Sequence, residues 1–304
     1  MRRKLLIGIL LGVLAVTQAL FTAAGAAAED EVFQKGSSLS YLYGIDEQEI
    51  TDASGLWWYV VNADGETVTV WQVPHMATAQ MDVPREIDGR LVTAIGDYAF
   101  ESSTLERITL PDTVLSIGDG AFQWCFSLTE ITLPGSLISI GSNVFVDVSL
   151  SQITLPGSLI SIGRGAFNYC QALTGITVPD SLTSISPGAW RNCWNLSRIE
   201  VLPGNPVYAS LDGVLFDKNS NTLHTYPCGK AGDVYAVPDG VAAIGELAFE
   251  DCNALTQVIL PDSLTFIGED AFYGCEKLTL IVSKGSYAEQ YAKENTIPYA
   301  YMAE

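Results

Sequence analysis

"ITLPGSLISIG" stands at Ile131–Gly141 and again, residue for residue, at Ile153–Gly163, 22 positions later. The duplication is the visible part of a longer period. An isoleucine within S-I-G, A-I-G and their variants recurs at Ile95, Ile117, Ile140, Ile162, Ile185, Ile244 and Ile267, with spacings of 22, 23, 22, 23, 59 and 23. Five residues after each comes an aromatic: Phe100, Phe122, Phe145, Phe167, Trp190, Phe249 and Phe272. Alanine precedes that aromatic in every coil but one, where Val144 replaces it. A leucine follows, then an aliphatic three residues on, and after two more a Leu or Val that usually precedes proline, as in Leu128, Ile131 and Leu133.

Apolar residues at fixed phases of a 22–23-residue period describe one solenoid coil per period. A single coil cannot bury its apolar side, but stacked coils bury a continuous core. L-x-x-I-x-L reads as a short strand whose Ile and Leu point inward while Thr points out. The proline ends it, having no N–H to give a ladder. The segment between Gly and Cys is too short for a full helix and reads as a turn of helix or 3₁₀. The expected fold is therefore a mainly β solenoid of about seven coils with short helical or 3₁₀ turns.

The unit "IGxxAFxxCxxLxxIxLPxSLxxI" resembles the BspA-type leucine-rich repeat of bacterial surface proteins, with Ser136, Ser158, Ser181 and Ser263 at the phase usually held by Asn or Cys. The resemblance spans about 95–282. "NPVYASLDGVLFDKNSNTLHTYPCGK" resembles the family's hairpin insert, and "GSYAEQYAKENTIPY" its C-terminal cap. The insert accounts for the 59-residue spacing, because Val237 resumes the pattern interrupted after Val201. The domain reading is a leader at 1–28, a β-rich N-terminal cap at 29–94, the solenoid at 95–282 with a β-hairpin insert at 202–236, and a C-terminal cap at 283–304. In the cap, Asp64-Gly65 between two apolar runs is a hairpin signal, and Trp57, Trp58 and Trp71 are expected to cover the open end of the stack.

Arg2, Arg3 and Lys4, an apolar run over Leu5–Leu20 and Ala26-Ala27-Ala28 form a secretory leader, with cleavage expected after Ala28. A membrane anchor is the competing reading, disfavoured by the small residues that end the run. The sequence carries 35 acidic and 15 basic residues, net −20; without the leader's three basic residues the charge is −23. That balance disfavours nucleic acid and anionic membranes as partners. The expected protein is secreted or surface-associated, without a transmembrane segment in the mature chain; its oligomeric state is left open, with a monomer favoured.

Chemistry is hard to find. Cys125, Cys170, Cys193, Cys252 and Cys275 share one phase and accompany one extra residue between the aromatic and the leucine, as turn fillers do. Bridges between neighbouring coils, such as Cys170–Cys193 or Cys252–Cys275, are the alternative. Cys228 is expected in a loop of the insert beside a solvent-facing His224; His75 is the other histidine. No close CxxC pair, hydrolase elbow, phosphate loop or dinucleotide fingerprint is present. "DKNSNT" at 217–222 lacks the later calcium-loop positions and reads as a hairpin turn. No catalytic residue, metal or cofactor is assigned, and a hydrolase is the remote alternative.

Two surfaces are candidates for binding. The first is the outward strand face: Arg107, Thr109, Glu130, Thr132, Gln152, Thr154, Thr177, Arg198 and Glu200, expected to stack into one broad polar wall. The second is the edge beside the Cys turns, with Trp124, Phe126, Tyr169, Trp194 and Tyr273. The family resemblance implies an adhesin-like recognition protein for a host or neighbouring-cell protein or glycan. A scaffold module of a surface assembly is the alternative.

Overall fold

The structure, a computed structural model, describes residues 50–73 and 79–303. The expected leader, residues 29–49 of the expected cap, and His75 lie outside the described residues. The repeat forms a β solenoid. Its inward phases are fully sequestered: Phe122, Phe145, Phe167 and Phe249 are at 0% exposure. Their rings stack coil on coil, with centroids 5.1 Å apart for Phe100–Phe122, 5.6 Å for Phe122–Phe145 and 5.2 Å for Phe145–Phe167. Offset stacking of this kind adds to the burial energy of each ring.

Three hydrogen-bonded faces wrap this core. The L-x-x-I-x-L segments form parallel strands in register, as in Ile108 against Ile131 between Arg107–Thr109 and Glu130–Thr132. A second parallel sheet, absent from the sequence reading, is built from Ser-Ile pairs: Ser116–Ile117, Ser139–Ile140, Ser161–Ile162 and Ser184–Ile185. The third face is the turn segment. There the bonds within a coil run from residue i+3 to residue i, as in Gln123 N–H to Gly120 O and Leu128 N–H to Cys125 O. The leucine-rich-repeat serines also have a partner. The hydroxyls of Ser136, Ser158, Ser181 and Ser263 each donate to a carbonyl of the preceding coil, at 2.6–2.8 Å.

Both ends of the stack are paired. At the N-terminal side, Trp58–Val61 and Thr67–Gln72 form an antiparallel hairpin, and Thr67–Gln72 then pairs parallel with Arg90–Ile95. Asp64 closes that turn by accepting from the backbone of Glu66 and Thr67. Trp57 is buried and Trp58 and Trp71 are half-buried; the strand pairing, with Val68 and Val70 at 0% exposure, covers the apolar end. At the other side, helix Tyr287–Glu294 precedes strand Tyr299–Tyr301, which pairs with Thr279–Val282. Ser286 caps this helix by accepting from Glu289 N–H, and the Glu289 carboxylate accepts from Gly285 N–H. Together these satisfy amides that a helix start leaves orphaned.

The insert holds four strands. Tyr208–Leu211 and Val214–Asp217 turn at Asp212-Gly213, both with positive φ, and Val214–Asp217 pairs onward with Thr222–Thr225. Thr222–Thr225 then pairs parallel with Ala243–Ile244, and Tyr226 stacks on Phe249 at 5.1 Å. The last part of the insert therefore substitutes for a coil. The outer sheet resumes with Val234–Ala236, parallel to Gln257–Ile259. The core divides at this point into one cluster running from Trp57 to Leu215 and a second from Val214 to Ala292.

Candidate binding surfaces

The strand face is solvated but not continuous. Arg107, Glu130, Thr132, Gln152, Thr154, Thr177, Arg198 and Glu200 are exposed and Thr109 is half-buried. Strand pairing joins Gln80–Asp82, Arg107–Thr109 and Glu130–Thr132, and separately Gly175–Val178 and Arg198–Val201. Gln152 and Thr154 lie in the one L-x-x-I-x-L segment between Arg107 and Val201 that forms no strand, so the expected single wall is two patches. That coil is one residue short between Phe145 and Leu150, with longer coils on both sides. Beyond Arg198–Val201 the face is closed by the insert, where Ile199 N–H donates to Gly213 O and Ser210 Oγ donates to Ile199 O. Within the first patch Arg107 pairs with Glu130 at 2.7 Å, so their charges compensate each other.

The Cys-turn edge has a geometry the sequence reading missed. The residues three and seven positions after each marker isoleucine have left-handed backbone. The first series is Tyr98, Gly120, Asn143, Gly165, Gly188, Leu247 and Asp270; the second is Ser102, Trp124, Asp147, Tyr169, Asn192, Asp251 and Gly274, with φ between 53° and 74° throughout. This conformation aims alternate amides along the solenoid axis. Trp124 N–H donates to Val146 O, Asp147 N–H to Asn168 O and Tyr169 N–H to Arg191 O. Gly, Asn, Asp and Ser dominate both series because they tolerate positive φ best.

Trp124 and Tyr169 occupy such positions although bulky side chains fit them poorly. Both are open to solvent, at 38% and 40% exposure, with Phe126 at 60% and Trp194 at 47% nearby in phase. Tyr169 and Trp194 meet edge to face at 6.0 Å. Tyr273, at 64%, belongs to the second core block beyond the insert and so is set apart from the other four along the stack.

The cysteines are structural, with one pairing the sequence reading did not propose. Cys125, Cys170, Cys193 and Cys275 each donate S–H to the carbonyl of a preceding aromatic: Phe100, Phe145, Phe167 and Phe249 respectively. Burial pushes the thiols of Cys125 and Cys170 up, and that of Cys275 to about 11, so these three are not thiolates near neutrality. Cys228 is bridged to Cys252, while Cys275 stays free. This corrects the expectation that Cys228 is a free loop residue and Cys252 an unbridged turn filler, and neither alternative bridge, Cys170–Cys193 or Cys252–Cys275, forms.

His224 is likewise half-buried rather than solvent-facing. Its Nε2 is 3.0 Å from Ile185 O and its Nδ1 is 2.8 Å from Thr225 Oγ1. The ring meets Tyr208 edge to face at 5.7 Å, and burial lowers the imidazole pKa. Bridged Cys228 and tethered His224 do not form a nucleophile–base pair. Among the described residues no group of three or more His, Cys, Asp or Glu is placed to hold a metal ion, and no helix is long and apolar enough to cross a membrane.

Comparison with known proteins agrees with this architecture. No curated protein resembles the chain in sequence. A leucine-rich repeat protein of Eubacterium ventriosum is 26% identical over 78% of this chain and 73% of its own, with a TM-score of 0.61. The pneumococcal vaccine antigen PcpA is 24% identical over 77% of this chain and 69% of its own, also at 0.61, and the T. pallidum leucine-rich repeat protein is 23% identical over 83% and 98%, at 0.52. Likenesses below a quarter identity speak to the fold alone. The model of the BspA-type leucine-rich repeat region matches six copies, over residues 93–219 and 232–293. With those residues exceeding half its length, the chain belongs to the BspA-type leucine-rich repeat family.

Proposed function

We propose that this solenoid is a secreted or surface-associated, non-enzymatic recognition protein that holds a protein or glycan ligand against its side, in the manner of an adhesin. The observation carrying the reading is the division of labour within each coil. Core phases repeat almost unchanged, whereas the exposed positions of the turn edge differ from coil to coil and include large aromatics. Stacked coils are a rigid mount, and exposed aromatic residues on a rigid mount favour binding because little freedom is lost on contact. The leader at 1–28 fits export, and N-terminal sequencing of the protein recovered from culture medium tests cleavage after Ala28.

The functional test is capture by immobilised mature protein against separate panels of matrix proteins, mucins and glycans. Saturable binding of at least one class is the expected result. Failure of every class would overturn the recognition reading in favour of a scaffold module.

A further inference from the structure

Trp124 and Tyr169, the two bulky residues at the second of the left-handed phases, are the least explained feature of the molecule; at the first phase Tyr98 and Leu247 are bulky as well. Five coils hold Ser102, Asp147, Asn192, Asp251 or Gly274 at this phase. These are the residue types such a turn favours. Trp124 and Tyr169 therefore cost stability where a small polar residue would not. The core does not repay that cost, since both rings are exposed. Tyr169 touches Trp194 edge to face, and Trp124 pairs with no other ring among the described residues. Backbone strain that persists without a packing reason marks a functional position.

We infer that Trp124, Tyr169 and Trp194 form a linear platform for an uncharged polysaccharide chain lying along the solenoid axis. The inference rests on the recognition role proposed above and specifies its site and ligand class. Trp124 and Tyr169 share a phase and lie two coils apart, about 10 Å at ordinary strand spacing. The apolar C–H face of a pyranose packs flat on an aromatic ring, and rings at this separation address alternate sugars of an extended chain. Exposed Asp147, at the same phase in the coil between, offers a carboxylate to sugar hydroxyls. A net charge of −20 and that carboxylate select against anionic glycans. The platform is also one turn wide. A protein partner needs roughly 800 Å² on each side around its aromatic anchors, whereas a sugar chain needs only the rings and their hydrogen-bonding neighbours.

Native affinity electrophoresis of the mature protein, in gels containing mixed-linkage β-glucan, xylan or galactomannan, tests this. At least one polysaccharide is expected to retard the wild-type chain. The W124N/Y169N variant, carrying the residue type of Asn192, should bind on the order of tenfold more weakly per ring lost, about a hundredfold in all. Its melting temperature should be unchanged or higher, and W124F/Y169F should retain binding. No retardation by any of the three, or equal retardation of W124N/Y169N, would overturn the proposal. A lower melting temperature for W124N/Y169N would refute the strain that motivates it. If these polysaccharides fail while a matrix protein or mucin is captured saturably, the platform is wrong and the recognition role stands; if both assays are silent, both fall.

Discussion

Between Ile95 and Ile185 the Ser-Ile strands are joined by backbone, whereas at the insert this sheet is continued by side chains. In the regular stack every Ser-Ile pair meets its neighbour in parallel register. At the insert, Ile185 finds no such strand. Its N–H donates to the Tyr208 hydroxyl at 2.9 Å and its carbonyl meets His224 Nε2. On the turn edge, Arg191 reaches Glu250 at 3.0 Å and Arg164 pairs with Glu246, each spanning the interruption. A repeat can thus be opened for an insert if polar side chains take over the orphaned backbone groups. The regular stack should then owe its stability to rings and ladders, and the joint to a few specific contacts.

The largest effect tests the first half of that statement. Phe167 is fully buried and stacked between Phe145 and Trp190. Phe167→Ala is expected to cost about 3–5 kcal/mol through lost burial and a cavity. Chemical denaturation measures it. The loss should fall on the first core block and leave the second near its own midpoint; a single transition shifted as a whole would show that the joint couples the blocks fully.

Removing the bridge comes next. Cys228–Cys252 closes a 24-residue separation and fastens the insert to the coil that follows. Cys228→Ser is expected to destabilise the second block by about 3 kcal/mol on the chain-entropy estimate. The denatured, unreduced wild-type protein should titrate four thiols, those of Cys125, Cys170, Cys193 and Cys275. Six would eliminate the bridge.

The joint itself should respond to a single oxygen and to pH. Tyr208→Phe leaves the Ile185 N–H buried without its acceptor, an expected loss of about 1–3 kcal/mol. His224 is held neutral by burial, which lowers its folded-state pKa below the ordinary 6.5. The unfolded chain therefore binds a proton first as pH falls. This contribution to stability is intact above about 6.5 and is lost as pH drops toward the depressed folded value. Melting curves at pH 7.5 and 6.0 should differ for the wild type and differ less for His224→Phe.

How far the sequence foretold these regions follows the same divide. Where the period runs, spacing alone located the core phases, the strand Glu130–Thr132 and the Cys positions. The Ser-Ile strands escaped notice because two residues show no alternation. Inside the insert the phase marker is lost, so Cys228 and His224 were read as loop and surface residues. One signal was available: Tyr226 precedes Phe249 by 23 residues, a full period, and so stands in a phenylalanine's place. The left-handed turns were equally legible in the run of Gly, Asn, Asp and Ser at two fixed phases. Against that run Trp124 and Tyr169 stand out at the second phase, as Tyr98 and Leu247 do at the first. The break at Gln152–Thr154 has no such signature, because Ile153–Gly163 copies a stretch whose first residues, in the coil before, do form a strand.

The smallest effects separate two hydroxyls inside that copied stretch. Thr154 and Ser158 are four residues apart in one coil, and composition does not distinguish their worth. Thr154 is exposed, in the segment that forms no strand, and Thr154→Ala should change stability by less than about 0.5 kcal/mol. Ser158 is half-buried and donates to Leu137 O at 2.6 Å, tying its coil to the one before. Ser158→Ala should cost about 1 kcal/mol, the net value of such a bond, and more if the carbonyl is left without water. Equal losses would mean that coils are held by their rings alone and that the serine phase only fills space. A loss confined to Ser158→Ala would place the repeat's hydroxyl, like the side chains at the insert, among the groups that join one coil to the next.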